Sequence, residues 1–220
     1  MFGPSYTASS SIAESQRTVN WVYERIQSDR GKASYWLKRS PGLSLFVDTG
    51  ITGFVRGLFS LNGHCFAVVG THLIEIMSDG SVIDYSDTSG VLLVNDENQV
   101  SMAANPTQLM VTSGGYGYIL EAAALQLIVS ADFPSGYAGD CEFMDGYFVV
   151  LIVGVDPVTS VSFQQFQVSA LNDGLTWDAT KISSVESRPD SVLACIVDKQ
   201  ELWMFGSETI QVYYDSGDVD

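Results

Sequence analysis

The sequence predicts an all-β chain: a β-propeller of four-stranded antiparallel blades, possibly incomplete at the C-terminus, preceded by an extended N-terminal arm. Three observations predict it. Short strand-like runs are separated by Asn-Gly, Asp-Gly and Gly-Gly pairs, a strand-turn-strand plan recurs at intervals of roughly 40 to 50 residues, and no sustained helical periodicity interrupts it. The pairs mark turns for a physical reason: two-residue hairpins need positive φ, which Gly and Asn adopt at least cost.

The arm comes first, over residues 1–50. The segments "TVNWVYERI" and "ASYWLKRSP" alternate around the polar link "QSDRGK", which predicts a hairpin. It offers Trp21, Tyr23, Tyr35 and Trp36 beside Arg17, Arg25 and Arg39, and aromatics next to arginines are typical interface anchors. Packing of the same rings against the arm's own propeller is the alternative.

Four units follow over residues 51–220, at about 55–88, 98–131, 139–185 and 190–220. The first places turns at Asn62-Gly63 and Asp79-Gly80, with strands over 72–77 and 81–86. The second turns at Asn105-Pro106 and Gly114-Gly115, with strands near 117–121 and 125–130; its "LEAAALQL" fits a turn plus strand better than a helix. The third turns at Asp145-Gly146, runs through "YFVVLIVG" and a loop around Asp156-Pro157, and reaches "SALNDGLTWDA". Its near-continuous apolar run suits a strand buried on both faces between neighbouring blades. The fourth turns near Asp198-Lys199 and Gly206-Ser207 and holds three strands. Either the N-terminal segment supplies a fourth strand or further blades follow, and the second is the expectation, because an open edge invites aggregation. First turns at 62, 105, 145 and 198 are 43, 40 and 53 residues apart, within the range of propeller repeats.

Charge divides the chain in the same place. Residues 1–56 hold seven of the ten basic residues against four acids, a balance of plus 3. Residues 57–180 hold no Lys or Arg and 14 acids, and the last 40 residues hold three bases and eight acids. An acidic body of this kind repels phosphate backbones and is a poor candidate for gripping DNA. No apolar run approaches the roughly 18 residues of a membrane span, and "MFGPSYTASSS" lacks a signal-peptide pattern. The dispersed Cys65, Cys141 and Cys195 read as small buried hydrophobes.

The segment Asn172-Asp173-Gly174-Leu175-Thr176-Trp177 resembles the Asp-box of sialidases, with Ala170 at the Ser position and Asn172 at the Asp position. A sialidase needs arginines that bind a carboxylate bidentately, yet none lies between Arg56 and Arg188. The carboxylate pairs Asp140/Glu142, Asp79/Asp84 and Asp96/Glu97 read as turn or cap groups. His64 and His72 bracket one hairpin; adjacent strand residues point to opposite faces, so His64 and Cys65 form no dyad. "SGGYGYI" lacks the Lys-Ser/Thr of a phosphate loop, and no calcium loop is present. No catalytic residue, cofactor or metal is expected. The Asp-box-like residues read as a structural turn: an amide at Asn172 caps backbone N–H groups and Trp177 lies buried beneath. A glycan-binding or sialidase-like propeller is the rival reading.

Several segments in order resemble the phage stabilisation, or packaged-DNA stabilisation, proteins of short-tailed bacteriophages. They are "SQRTVNWVYERI", "LKRSPGLSLF", "VRGLFSLNGHCFAVVGTHLIEI", "MAANPTQLMVTSGGYGYIL", "FQVSALNDGLTWDATKISSVESRPDSVLACI" and "ELWMFGSETIQVYY". The resemblance implies a tail hub or tail accessory factor in the virion, assembled in the host cytoplasm. It implies a ring, usually a hexamer, below the portal-adaptor proteins, which retains packaged DNA, lets it pass through the conduit without tight binding, and contacts a tail fibre or tailspike and a tail needle or plug. No membrane insertion is expected.

Overall fold

A computed structural model describes residues 20–25, 35–155, 162–185 and 191–214. The chain divides into two compact units, Met1–Phe46 and Val47–Asp220.

In the first unit, β1 (Trp21–Arg25) pairs antiparallel with β2 (Tyr35–Arg39), Trp21 opposite Arg39 and Arg25 opposite Tyr35. The Arg39 guanidinium lies 5.4 Å from the centroid of the Trp21 ring, within cation–π range.

The second unit is a series of antiparallel sheets whose strands follow one another in chain order. Blade 1 holds β3 (Val55–Leu61), β4 (His64–Val69), β5 (His72–Ile76) and β6 (Val82–Asp84). Blade 2 holds β7 (Ser101–Ala104), β8 (Gln108–Ser113), β9 (Tyr116–Glu121) and β10 (Ala124–Leu127). Blade 3 holds β11 (Ala138–Met144), β12 (Tyr147–Ile152), β13 (Gln165–Ala170) and β14 (Asp173–Ser184). Blade 4 holds β15 (Val192–Asp198), β16 (Glu201–Gly206) and β17 (Ile210–Tyr214). The loop around Asp156-Pro157 lies outside the described residues.

Two expected elements differ. The fourth strand of blade 1 ends at Asp84, because the Asp84 carboxylate accepts the Asp87 N–H at 2.9 Å and starts a short helix, α1 (Tyr85–Ser89), closed by left-handed Gly90. The first turn of blade 4 falls at Lys199-Gln200 rather than Asp198-Lys199: both have positive φ, 50° and 67°, and Asp198 pairs with Glu201.

The same left-handed pair closes other hairpins, at Asn62-Gly63, Gly114-Gly115 and Asp145-Gly146, and at Ala122-Ala123 with φ of 48° and 65°. Alanine in this region costs about 1–2 kcal/mol per residue, so this turn is held by its strands rather than by its own preference. Replacing Ala122 by Asn and Ala123 by Gly together is expected to stabilise the chain by about 1 kcal/mol in urea unfolding. An unchanged or lower midpoint would count against the turn assignment.

Apolar side chains pack between successive blades. Phe66, Val68 and Leu73 of blade 1 meet Leu109, Val111, Leu120 and Leu125 of blade 2. Met110 and Ile119 of blade 2 meet Cys141, Phe148, Val150 and Trp177 of blade 3. Val149, Leu151 and Phe166 of blade 3 meet Cys195, Leu202 and Met204 of blade 4. Continuous burial along β8 and β12 follows from packing on both faces.

Candidate functional site

The first strands of the blades, β3, β7, β11 and β15, line a shared cavity of about 850 Å³. Asp140 is the charged side chain in that lining. Asp140 stands inside β11 and does not flank a turn, so the sequence reading of the Asp140/Glu142 pair is corrected. Its Oδ1 accepts from the Ser101 hydroxyl of blade 2 and from the Cys141 N–H at 3.1 Å, and its Oδ2 accepts from the Cys195 N–H of blade 4 at 3.0 Å. One carboxylate thus ties the first strands of three blades.

Glu142, two residues on, is raised to about 7, first by burial and then by the charge of Asp140. The folded chain therefore holds this proton more tightly than the unfolded chain. The associated stability is complete below about pH 4.5 and is lost as pH rises to about 7. The Glu142→Gln variant is expected to melt higher than the wild type at about pH 8, with the difference shrinking towards about pH 5. Parallel melting-temperature curves across that range would remove Glu142 from the account. Burial likewise pushes the Cys141 thiol up to about 12 and raises Cys195, which leaves both protonated and unreactive near neutral pH.

The Asp-box-like turn joins β13 to β14, with Ala170 opposite Asp173 and then a bulge that sets Ser169 opposite Trp177. Its capping group is Asp173 and not Asn172. The Leu175 N–H donates to Asp173 Oδ1 at 2.9 Å. Partial burial works against ionisation of Asp173, but hydrogen bonds from Thr176, Leu175 and Gln108 hold its carboxyl below the usual range. Asn172 instead takes positive φ, 54°, and donates its N–H to the Gly146 carbonyl at 2.6 Å. Asn172 is the left-handed residue of the turn, and Asp173, one position on, is the one whose Oδ1 reaches the Leu175 amide. Thr176 is exposed. Trp177 is 4% exposed, stacks edge-on against Phe133 at 5.0 Å and donates from Nε1 to the Gly174 carbonyl at 2.8 Å.

This turn grips the preceding blade. The Gly174 N–H donates to Gln108 Oε1 at 2.8 Å, and a Cβ at Gly174 would stand 2.5 Å from Ile119 Cδ1 and 3.0 Å from Phe148. Gln108 is held by Asn105, whose Oδ1 accepts the Thr107 and Gln108 N–H groups at 2.8 and 2.6 Å. The turn is thus an inter-blade fastener.

Arg56, counted in the basic N-terminal stretch but placed by sequence in the first propeller unit, is a buried residue of blade 1. Nε donates to the Asn98 carbonyl at 2.7 Å, and Nη1 to the Gly70 and Val94 carbonyls at 2.9 and 2.8 Å. Nη2 pairs with Asp96 and donates to the Ser113 hydroxyl of blade 2 at 2.8 Å. One signal could have found it: Arg56 is the last cation before a long stretch without another, and a lone charge in an acidic body calls for a partner.

The remaining candidates have local roles. Asp79 accepts from Ser81 at its turn. His64 pairs with Glu75, which also accepts from the Tyr85 hydroxyl at 2.5 Å; burial and this bond push Tyr85 up to about 12. His72, Asp84 and Asp87 bring ligand atoms within 4.8 Å of one another, but the Asp84 oxygens already accept from His72 at 2.8 Å and from the helix start. In the arm, Trp21 is 44% exposed. Arg17 and the side chains of Tyr23, Arg25, Tyr35 and Trp36 lie outside the described residues.

No helix among the described residues is long and apolar enough to cross a membrane. The computationally designed Ika4 protein is similar in structure, with 13% identity and a TM-score of 0.54 over 79% of this chain and 99% of that one. BamB from Moraxella catarrhalis gives 9% and 0.53 over 76% of this chain and 46% of that one. The computationally designed Ika8 protein gives 12% and 0.54 over 91% and 57%. The chain thus spans about half the length of the latter two. No curated protein matches it in sequence. A family model described as "Bacteriophage P22 Gp10, beta-propeller" matches residues 16–220. With that match over nearly its whole length, the chain belongs to the phage stabilisation family, a family of bacteriophage structural proteins.

Proposed function

We propose that the protein is a tail hub of a short-tailed phage, assembled in the host cytoplasm into a ring, six copies by family resemblance. The ring sits below the portal-adaptor complex, retains packaged DNA, forms part of the ejection conduit and supports a tail fibre or tailspike and a tail needle or plug. The charge pattern carries this reading beyond family membership. A body with 14 acids and no Lys or Arg from 57 to 180 repels a phosphate backbone, so DNA held behind or moving past it is not gripped. The buried hydrogen-bonded fasteners fit a component that must stay rigid under load.

The basic arm is the element that reaches a neighbouring copy or the adaptor. A two-stranded sheet alone is marginally stable in water, so β1–β2 with its exposed Trp21 and Val22 gains from a partner surface. Deleting residues 1–46 is expected to abolish binding to a purified portal-adaptor complex while the body keeps its melting temperature. Unchanged binding by the truncated chain would refute the arm's role.

A further inference from the structure

The junctions between successive blades are held by different chemistry. Between blades 1 and 2 the tie is an ion pair: Arg56 of blade 1 meets Asp96 and donates to the Ser113 hydroxyl of blade 2. Between blades 2 and 3 it is neutral, with the Gly174 N–H on Gln108 and Trp177 packed among Ile119 and Phe148. Between blades 3 and 4 it is a carboxylate, and a second carboxyl stands beside it. Asp140 Oδ2 accepts the Cys195 N–H at 3.0 Å. Glu142 follows two residues later on β11, which sets the two backbone positions about 6.5 Å apart, and the Asp140 charge acts on it.

Glu142 lies on the face of blade 3 that packs on blade 4. It stands opposite Val149, and Val149 packs with Cys195, Leu202 and Met204. Glu142 is partly buried, and among the described residues no hydrogen-bond donor or cation pairs with it. The other ionisable groups at this junction are the Cys195 thiol and the Tyr213 hydroxyl of blade 4, and Tyr147 at the end of the same face, with the Lys181 ammonium 5.3 Å from its ring centroid. Cys141 packs on the other side, towards blade 2, while Asp198 and Glu201 stand opposite one another on the blade 4 face turned away. Three donors hold the Asp140 carboxylate, from Ser101, Cys141 and Cys195. Of two neighbouring carboxyls, the one without donors is the one that keeps its proton.

We propose that the junction of blades 3 and 4 is a proton-operated joint: blade 4 stays closed on blade 3 while Glu142 is protonated and separates from it more often once Glu142 is ionised. An ionised Glu142 against Val149 and β15 lacks the water or donors that a charge requires, and it repels the carboxylate that holds the Cys195 amide. Opening relieves both. The sign follows from where the proton is held. The closed joint binds it more tightly than the open one, so opening is least favourable below about pH 4.5, grows easier up to about pH 7 and then levels. The inference rests on blade packing and charge and not on the tail reading.

Hydrogen exchange of the full chain tests it, read as protection factors so that the intrinsic pH dependence of exchange is removed. Between about pH 5 and about pH 8 the amides of β15 and β16 are expected to lose protection on the order of 10- to 100-fold, while those of β4 and β8 keep theirs. Glu142→Gln should hold blade 4 at the same protection at both pH values, and Glu142→Met replaces it should circular dichroism show the glutamine variant unfolded. Equal protection of blade 4 at the two pH values in the wild type would overturn the proposal. So would a loss spread evenly over all four blades, which would make the response global, or a pH dependence that survives the substitution of Glu142.

Discussion

Replacing Arg56 with alanine is expected to lower the unfolding free energy by about 3–5 kcal/mol. Its guanidinium is buried and satisfies three carbonyls, one carboxylate and one hydroxyl at once. Removing it leaves Asp96 without its cation and takes the side-chain donor from the Gly70 and Asn98 carbonyls where water enters poorly, while the Val94 carbonyl keeps the Asp96 N–H. Arg56→Lys should recover only part of the loss, because an ammonium keeps the charge but cannot span acceptors on blade 1, the connector over 94–98 and blade 2. Urea unfolding of the two variants checks this. Equal midpoints for Arg56→Lys and wild type would mean that charge alone matters and that the forked geometry does not.

Trp177→Ala is expected to cost a similar amount, about 3–5 kcal/mol, by opening a cavity between blades 2 and 3. Trp177 is buried against Phe133 and among Ile119, Phe148 and Val150, and its indole N–H ties the bulge closed at Gly174. Trp177→Phe should retain much of the packing and lose the hydrogen bond, so its cost should fall well below that of alanine. A small effect of alanine, within about 0.5 kcal/mol, would place the turn outside the cooperative core. The two sites are independent, Arg56 fastening blades 1 and 2 and Trp177 fastening blades 2 and 3, so their effects should add.

What could be read from sequence follows from how local each cause is. Asn62-Gly63, Gly114-Gly115 and Asp145-Gly146 announce hairpins through their own backbone preferences, and the strands between them were legible for that reason. Ala122-Ala123 and Lys199-Gln200 make similar turns without the chemistry that advertises them, since strand pairing imposes the positive φ. The last residues of blade 1 became a helix through a single side-chain cap at Asp84. The fasteners were harder to see. Arg56 meets Ser113 across 57 positions, Asp140 meets Cys195 across 55, and Gln108 meets Gly174 across 66. No short window contains both partners. In the Asp-box-like turn the pattern located the hairpin and Trp177, while the division of labour between Asn172 and Asp173 depended on a backbone angle.

The central claim is that this chain assembles within a phage tail. Its most direct test is electron microscopy of the full-length chain mixed with the portal-adaptor complex of its own phage. The account predicts a closed ring of this protein bound beneath the adaptor, with its acidic blades around the axis. A chain that stays unbound under conditions where the adaptor itself assembles on the portal would contradict it.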